Sequence, residues 1–179
     1  MQKKILAFGA SSSKHSINKR LATYTAHQIK DAQIQILDLN DFEMPIFNVD
    51  RESEHGIPEA AHRFKQYIID ADAIIISFAE HNGNVSAAYK NFYDWVSRIE
   101  QNFWHDKPMF LLATSPGGRG GKTVLQISSE GIRRRNTNTI VEFSLPSFHQ
   151  NFDSKKGILD AELRRSFESR LSVFVGAIS

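Results

Sequence analysis

Ser11-Ser12-Ser13-Lys14-His15-Ser16-Ile17-Asn18 holds four serines within six residues and directly follows a short apolar run. A helical pattern begins at its far end. A turn that opens a helix after a strand offers backbone N–H groups and the positive end of the helix dipole to an anion, and serine hydroxyls add further donors. One serine would suffice as an N-cap, so the surplus marks a phosphate cradle. Ser11, Ser13, Lys14, Ser16, Ile17 and Asn18 are its candidate residues.

Two further loops carry unusual residues. Glu80-His81-Asn82-Gly83-Asn84 places a glycine where backbone can approach a planar ligand. Ser115-Pro116-Gly117-Gly118-Arg119-Gly120-Gly121-Lys122-Thr123 resembles a Walker A loop, but that pattern requires glycine where Pro116 stands. An NTPase is therefore excluded. The glycines of this loop still supply N–H groups to a ligand, and Arg119 among them could meet an anion. Gly9-Ala10-Ser11-Ser12-Ser13 lacks the second glycine of a nucleophile elbow, and the histidines form no H-E-x-x-H pair.

The elements that must position these loops follow from periodicity. Lys4–Phe8, Gln33–Leu39, Ala73–Phe78, Met109–Ala113 and Thr139–Leu145 read as strands. Ala73–Phe78 and Met109–Ala113 are nearly continuous apolar runs, as expected of parallel strands buried on both faces. Helical stripes lie between them: Leu21, Ala22, Thr25 and Ile29; Ala61, Phe64, Ile68 and Ile69, opening near Pro58; Ala88, Phe92, Trp95 and Ile99; Val124, Leu125, Ser128 and Ile132; and finally Leu163, Phe167, Leu171, Phe174 and Ile178. Asn40–Pro58 reads as a long polar connection. Strict βα alternation implies an α/β fold, a doubly wound five-stranded parallel sheet of flavodoxin-like order 2-1-3-4-5 with helices on both faces. The three loops follow strands one, three and four, which flank the switch point where such sheets bind ligands. In the helix that follows Ser86, Tyr89, Tyr93 and Val96 add a second apolar stripe. That width predicts a second partner, most simply another subunit, packed against the helix near residues 86–100.

The totals set bounds. A chain of 179 residues favours one domain. No cysteine is present, which excludes disulfides, thiolate metal sites and thiol catalysis and fits a reducing, cytoplasmic compartment. A net charge of +2 gives no reason to expect nucleic acid, and the Arg133-Arg134-Arg135 cluster suits a helix C-terminus. No apolar run approaches membrane-spanning length, so neither a nucleic-acid nor a membrane partner is expected.

At these residues the chain resembles the NADPH-dependent FMN reductases, relatives of the small quinone, azo-dye and chromate reductases. Their first motif is G-S-x-R-x-x-S-x-N. Ser11, Ser16 and Asn18 match it, with Ala10 in place of the glycine and Ser13 in place of the arginine. Their second resembles E-Y-N-x-S-x-P-x-x-L-K-N-x-x-D-W. Glu80, Asn82, Lys90, Asn91, Asp94 and Trp95 match, while His81, Asn84, Ser86 and Tyr89 depart from it. Ser115-Pro116-Gly117-Gly118 is similar to the family's ring-binding loop. The resemblance implies bound FMN, NADPH or NADH as co-substrate, a small-molecule electron acceptor such as a flavin or quinone, a homodimer or homotetramer, and, from Arg119, a contact to the adenosine phosphate of the nicotinamide cofactor. Lys14 could stand in for the missing arginine and His81 for the missing tyrosine. A non-enzymatic electron carrier and a flavin-free scaffold are the alternative readings.

Overall fold

The computed structural model describes residues 2–178. Its central sheet contains β1 (Lys3–Ala10), β2 (Ala32–Leu37), β3 (Ala73–Phe78), β6 (Met109–Thr114) and β7 (Ile140–Leu145), all parallel, in the order β2-β1-β3-β6-β7. This is the expected doubly wound order. Two short antiparallel hairpins were not expected: β4 (Glu80–His81) with β5 (Asn84–Val85), and β8 (Phe152–Asp153) with β9 (Gly157–Ile158).

Period-two alternation divides the core between the two faces of the sheet. Leu6, Phe8, Ile74, Ile76 and Phe78 face α3 (Glu59–Asp70), α4 (Ala87–Ile99) and α5 (Lys122–Arg133), meeting Phe64, Phe92, Trp95 and Val124. Ile5, Ala7, Ile75, Phe110 and Leu112 face α1 (Ile17–His27) and α6 (Ala161–Ile178), meeting Leu21, Ala22, Phe167 and Phe174. Ile69, expected inward, is 40% exposed.

The connection after β2 is not irregular throughout. It contains a 3-10 turn (Leu39–Phe42) and helix α2 (Val49–His55), which has no buried residue. Asn48 caps α2 by accepting the Arg51 N–H. A helix that buries no apolar residue leaves no apolar stripe in the sequence, which is why periodicity misses it. The second stripe of α4 also has a different partner from the one expected. Tyr89 meets Phe78 at 5.2 Å, and Tyr93 meets Phe103 at 5.2 Å. The turn-rich segment after α4 folds back to cover that stripe, so its width does not require a second subunit.

Gly9 sets how closely α1 approaches β1. A Cβ there would lie 2.5 Å from the Lys19 nitrogen and 2.6 Å from its Cα. Both are backbone atoms that can move only with the helix. Gly9→Ala is therefore expected to destabilise the fold by about 2 kcal/mol or more, read as a lower urea midpoint with an unchanged slope.

Candidate functional site

The C-terminal ends of β1, β3 and β6 open on a cleft of about 270 Å3 at the point where the strand order reverses. Its walls are the loop from Ser11 to Asn18, Ala79–His81, and Thr114–Pro116. The first loop is folded by its own serines. The buried Ser11 hydroxyl accepts the Ser13 N–H at 3.1 Å, and the Ser13 carbonyl accepts the Ser16 N–H at 3.1 Å. Ser16 is the N-cap of α1, its Oγ accepting the Lys19 N–H at 3.1 Å. The N–H groups of Lys14, His15, Ile17 and Asn18 have no acceptor among the described residues. Unpaired N–H groups at a helix start form a cradle for an anion.

Asn18 holds that cradle in place. Its buried Oδ1 accepts the Ser77 hydroxyl at 2.7 Å and the Thr114 N–H at 3.0 Å, while its Nδ2 donates to the Thr114 carbonyl at 3.1 Å. The side chain thus ties the loop to β3 and β6, while the second Nδ2 hydrogen and the backbone N–H of Asn18 have no acceptor among the described residues.

The second and third loops are joined by Glu80, whose Oε2 accepts the Val124 N–H at 3.0 Å in the first turn of α5. Asn82 and Gly83, at φ 53 and 72, make the tight turn of the β4–β5 hairpin. Ser86 caps α4 and donates its hydroxyl to the Ala10 carbonyl at 2.8 Å, tying the second loop to the end of β1. In the third loop, the Gly117 carbonyl accepts the Ser147 N–H at 2.9 Å and the Ser115 hydroxyl at 3.1 Å. Gly120, at φ 62, leaves no room for a Cβ, which would lie 2.5 Å from Ser144 Oγ.

The residues of the sequence motif K-N-x-x-D-W are structural. Asn91 accepts the Phe47 N–H at 2.8 Å and donates to the Met44 carbonyl at 3.0 Å, and Trp95 Nε1 donates to the Pro45 carbonyl at 2.7 Å. Together they fasten the connection before α2 to α4. Lys90 and Asp94 form an ion pair of 2.7 Å one turn apart.

The sequence pattern of the NADPH-dependent FMN reductases matches residues 3–148. The chain belongs to that family. Among its relatives, an NADPH:quinone oxidoreductase of Arabidopsis thaliana is 32% identical over 139 residues, covering 76% of this chain and 69% of the plant protein. A 2-hydroxy-1,4-benzoquinone reductase of Burkholderia is 34% identical over 122 residues, 67% of this chain and 64% of that one. The solved structure of FerB, a flavoenzyme NAD(P)H:(acceptor) oxidoreductase of Paracoccus denitrificans, superposes with a TM-score of 0.75 over 98% of this chain and 97% of that one, at 23% identity. This FMN reductase homologue is accordingly an NAD(P)H-dependent oxidoreductase with FMN as its cofactor. No helix among the described residues is long and apolar enough to cross a membrane.

The cleft brings together Ser11, Ser13, Ser16, Ile17, Asn18, Glu80, His81, Ser115 and Pro116. Asn82, Gly83, Asn84, Gly117, Gly118 and Arg119 do not line it. Arg119 points instead to Thr123 Oγ1 at 3.1 Å. Lys14 lies in a neighbouring groove, so it does not replace the family's arginine inside the cleft. His15, Ala79 and Thr114 line the cleft without having been singled out. Thr114 was hidden by reading its strand one residue short.

Asn18→Ala should leave the Thr114 N–H and the Ser77 hydroxyl buried without their acceptor. The expected cost is about 2–4 kcal/mol, measured by urea unfolding of the flavin-free protein.

Proposed function

We propose that this protein reduces a small quinone-like acceptor at the expense of NAD(P)H, with FMN seated in the cleft and its phosphate on the loop from Ser11 to Asn18. The observation that carries this reading is the set of free N–H groups at Lys14, His15, Ile17 and Asn18, fixed at the switch point by the buried Asn18 side chain. The donor set fits a phosphate dianion: four backbone N–H groups, the α1 dipole and the Ser16 hydroxyl, whose proton is free to point outward while its oxygen caps the helix. Bound FMN supplies the hydride and electron chemistry that no side chain here provides.

The chain's own part is to bind, orient and shield. His81 and Pro116 both line the cleft together with the phosphate loop, and a flat ring seated there would lie against them. Glu80 occupies the start of α5, so that helix end is already neutralised and does not compete for the flavin phosphate. The quinone acceptor is supported by the names of the Arabidopsis and Burkholderia relatives. NADPH and NADH are both kept as co-substrates, and the reducing cytoplasm remains the compartment this reading assumes.

The homo-oligomer belongs to the same reading, with its contact moved. Ile46 and Val49 are 79% and 69% exposed at the entry to α2, and Ile46 shares a groove with Ser12 and with Ala87 and Ala88 at the start of α4. A contact there would close the open side of the first loop. Light scattering at micromolar concentration is expected to give at least a dimer, and Ile46→Asp with Val49→Asp is expected to give a monomer. A wild-type monomer would remove the oligomer from this account.

Ser16→Ala removes one charge-assisted donor, worth roughly 1.5–3 kcal/mol. FMN affinity should fall about tenfold to a hundredfold, whereas riboflavin, which lacks the phosphate, should bind weakly and equally to both proteins. Fluorescence titration reads all four constants. Equal affinities of the wild type for FMN and riboflavin would contradict the placement of the phosphate.

A further inference from the structure

A second groove, of about 690 Å3, runs along the outer face of α1 and shares His15 and Ser16 with the flavin cleft. Its far wall is the β8–β9 hairpin, through Phe152, Ser154 and Lys155. That wall lies beyond residue 148, where the family match ends. No carboxylate lines the groove, while Lys14, Lys19, Arg20 and Lys155 do. Lys19 is paired with Asp38. Arg20, Lys14 and Lys155 have no ion-pair partner among the described residues. The Asp153 carboxyl is held below its ordinary range chiefly by the N–H groups of Lys156 and Lys155, which its Oδ1 accepts at 2.9 and 2.8 Å, and least by the charge of Arg20, with which it forms no ion pair.

Arg20 is held ready for an anion. Its guanidinium carbon lies 5.0 Å from the centre of the Phe148 ring and 5.7 Å from that of Phe152. Stacking of this kind occupies the face of the guanidinium and leaves its N–H edge for a phosphate. The volume is that of a small-ligand site.

We propose that this groove takes the AMP half of a flavin dinucleotide, so that the protein binds FAD as well as FMN. The inference rests on the flavin reading of the cleft. It follows from continuity: His15 and Ser16 stand where the flavin phosphate would sit, and a dinucleotide extends from that phosphate. The extension enters a channel lined by unpaired cations, with the Arg20 edge facing the second phosphate and Lys14 and Lys155 on either wall.

The test is a fluorescence titration of the flavin-free protein with FAD and with FMN, using wild type, Arg20→Ala and Lys155→Ala, with circular dichroism as the folding control. Lys155 lies on an exposed hairpin, so its variant remains informative if Arg20→Ala unfolds. Wild type should bind FAD at least as tightly as FMN. Each variant should lose about tenfold in FAD affinity, one charged hydrogen bond's worth, with FMN changed less than about twofold. FMN binding that is at least about tenfold tighter than FAD binding, or variants that leave FAD affinity unchanged, would overturn the groove while leaving the flavin cleft intact. Loss of binding for both flavins in the wild type would overturn both. A raised KM for NADPH in the FMN-loaded Arg20→Ala protein, with FAD affinity unchanged, would assign the cations to the nicotinamide co-substrate and overturn the proposal.

Discussion

The side chain of Asn18 is the fastening on which the site depends. One amide joins the first turn of α1 to β3 through Ser77 and to β6 through both the N–H and the carbonyl of Thr114. A parallel sheet leaves the ends of its strands without shared ladder bonds, and at the switch point the loops diverge to opposite faces. A buried amide with three partners is a compact way to hold such loops in register, because each of its polar atoms is satisfied. Gly9 provides the close approach that lets Asn18 reach. The helix start, and therefore the N–H cradle, inherits its position from these two residues.

The same geometry accounts for the division of labour among the motif residues. Ser16 faces two ways, capping α1 with its oxygen and keeping its proton for a ligand. Glu80 and Ser86 act on helix starts: Glu80 neutralises α5, while Ser86 caps α4 and pins it to β1. Asn91 and Trp95, conspicuous as a motif, hold the connection before α2 rather than a cofactor. The only free anion cradle at the switch point is then the one at α1, among the described residues of the cleft.

The sheet was legible because buried parallel strands are written as apolar runs: Ala73–Phe78 was bounded correctly, and the remaining strands were misplaced by a residue or two at their ends. The parallel sheet followed from alternation, its order from the number of strands, and the three loops from their serine and glycine content. Helix α2 was not legible, since none of its residues is buried and capping by Asn48 is a single weak signal. The reach of Phe103 and Trp104 back over Tyr93 was invisible for a different reason. It depends on a turn passing through His105 and Asp106 at positive φ, a conformation with no glycine to announce it. At the site, serine content singles out the loop from Ser11 to Asn18. Whether a polar side chain faces the cleft or the sheet is a tertiary fact that residue type does not announce: Asn18 turns its Oδ1 and one Nδ2 hydrogen to β3 and β6, and Lys14 lines the adjoining groove.

The central claim is that the first turn of α1 receives the flavin phosphate on backbone N–H groups. Amide 1H–15N correlation spectra of the flavin-free protein, recorded with increasing FMN, test it most directly. The account predicts that the amide signals of Lys14, His15, Ile17 and Asn18 move downfield as FMN binds and stay in place with riboflavin. Saturable FMN binding that leaves those four signals unmoved would contradict it.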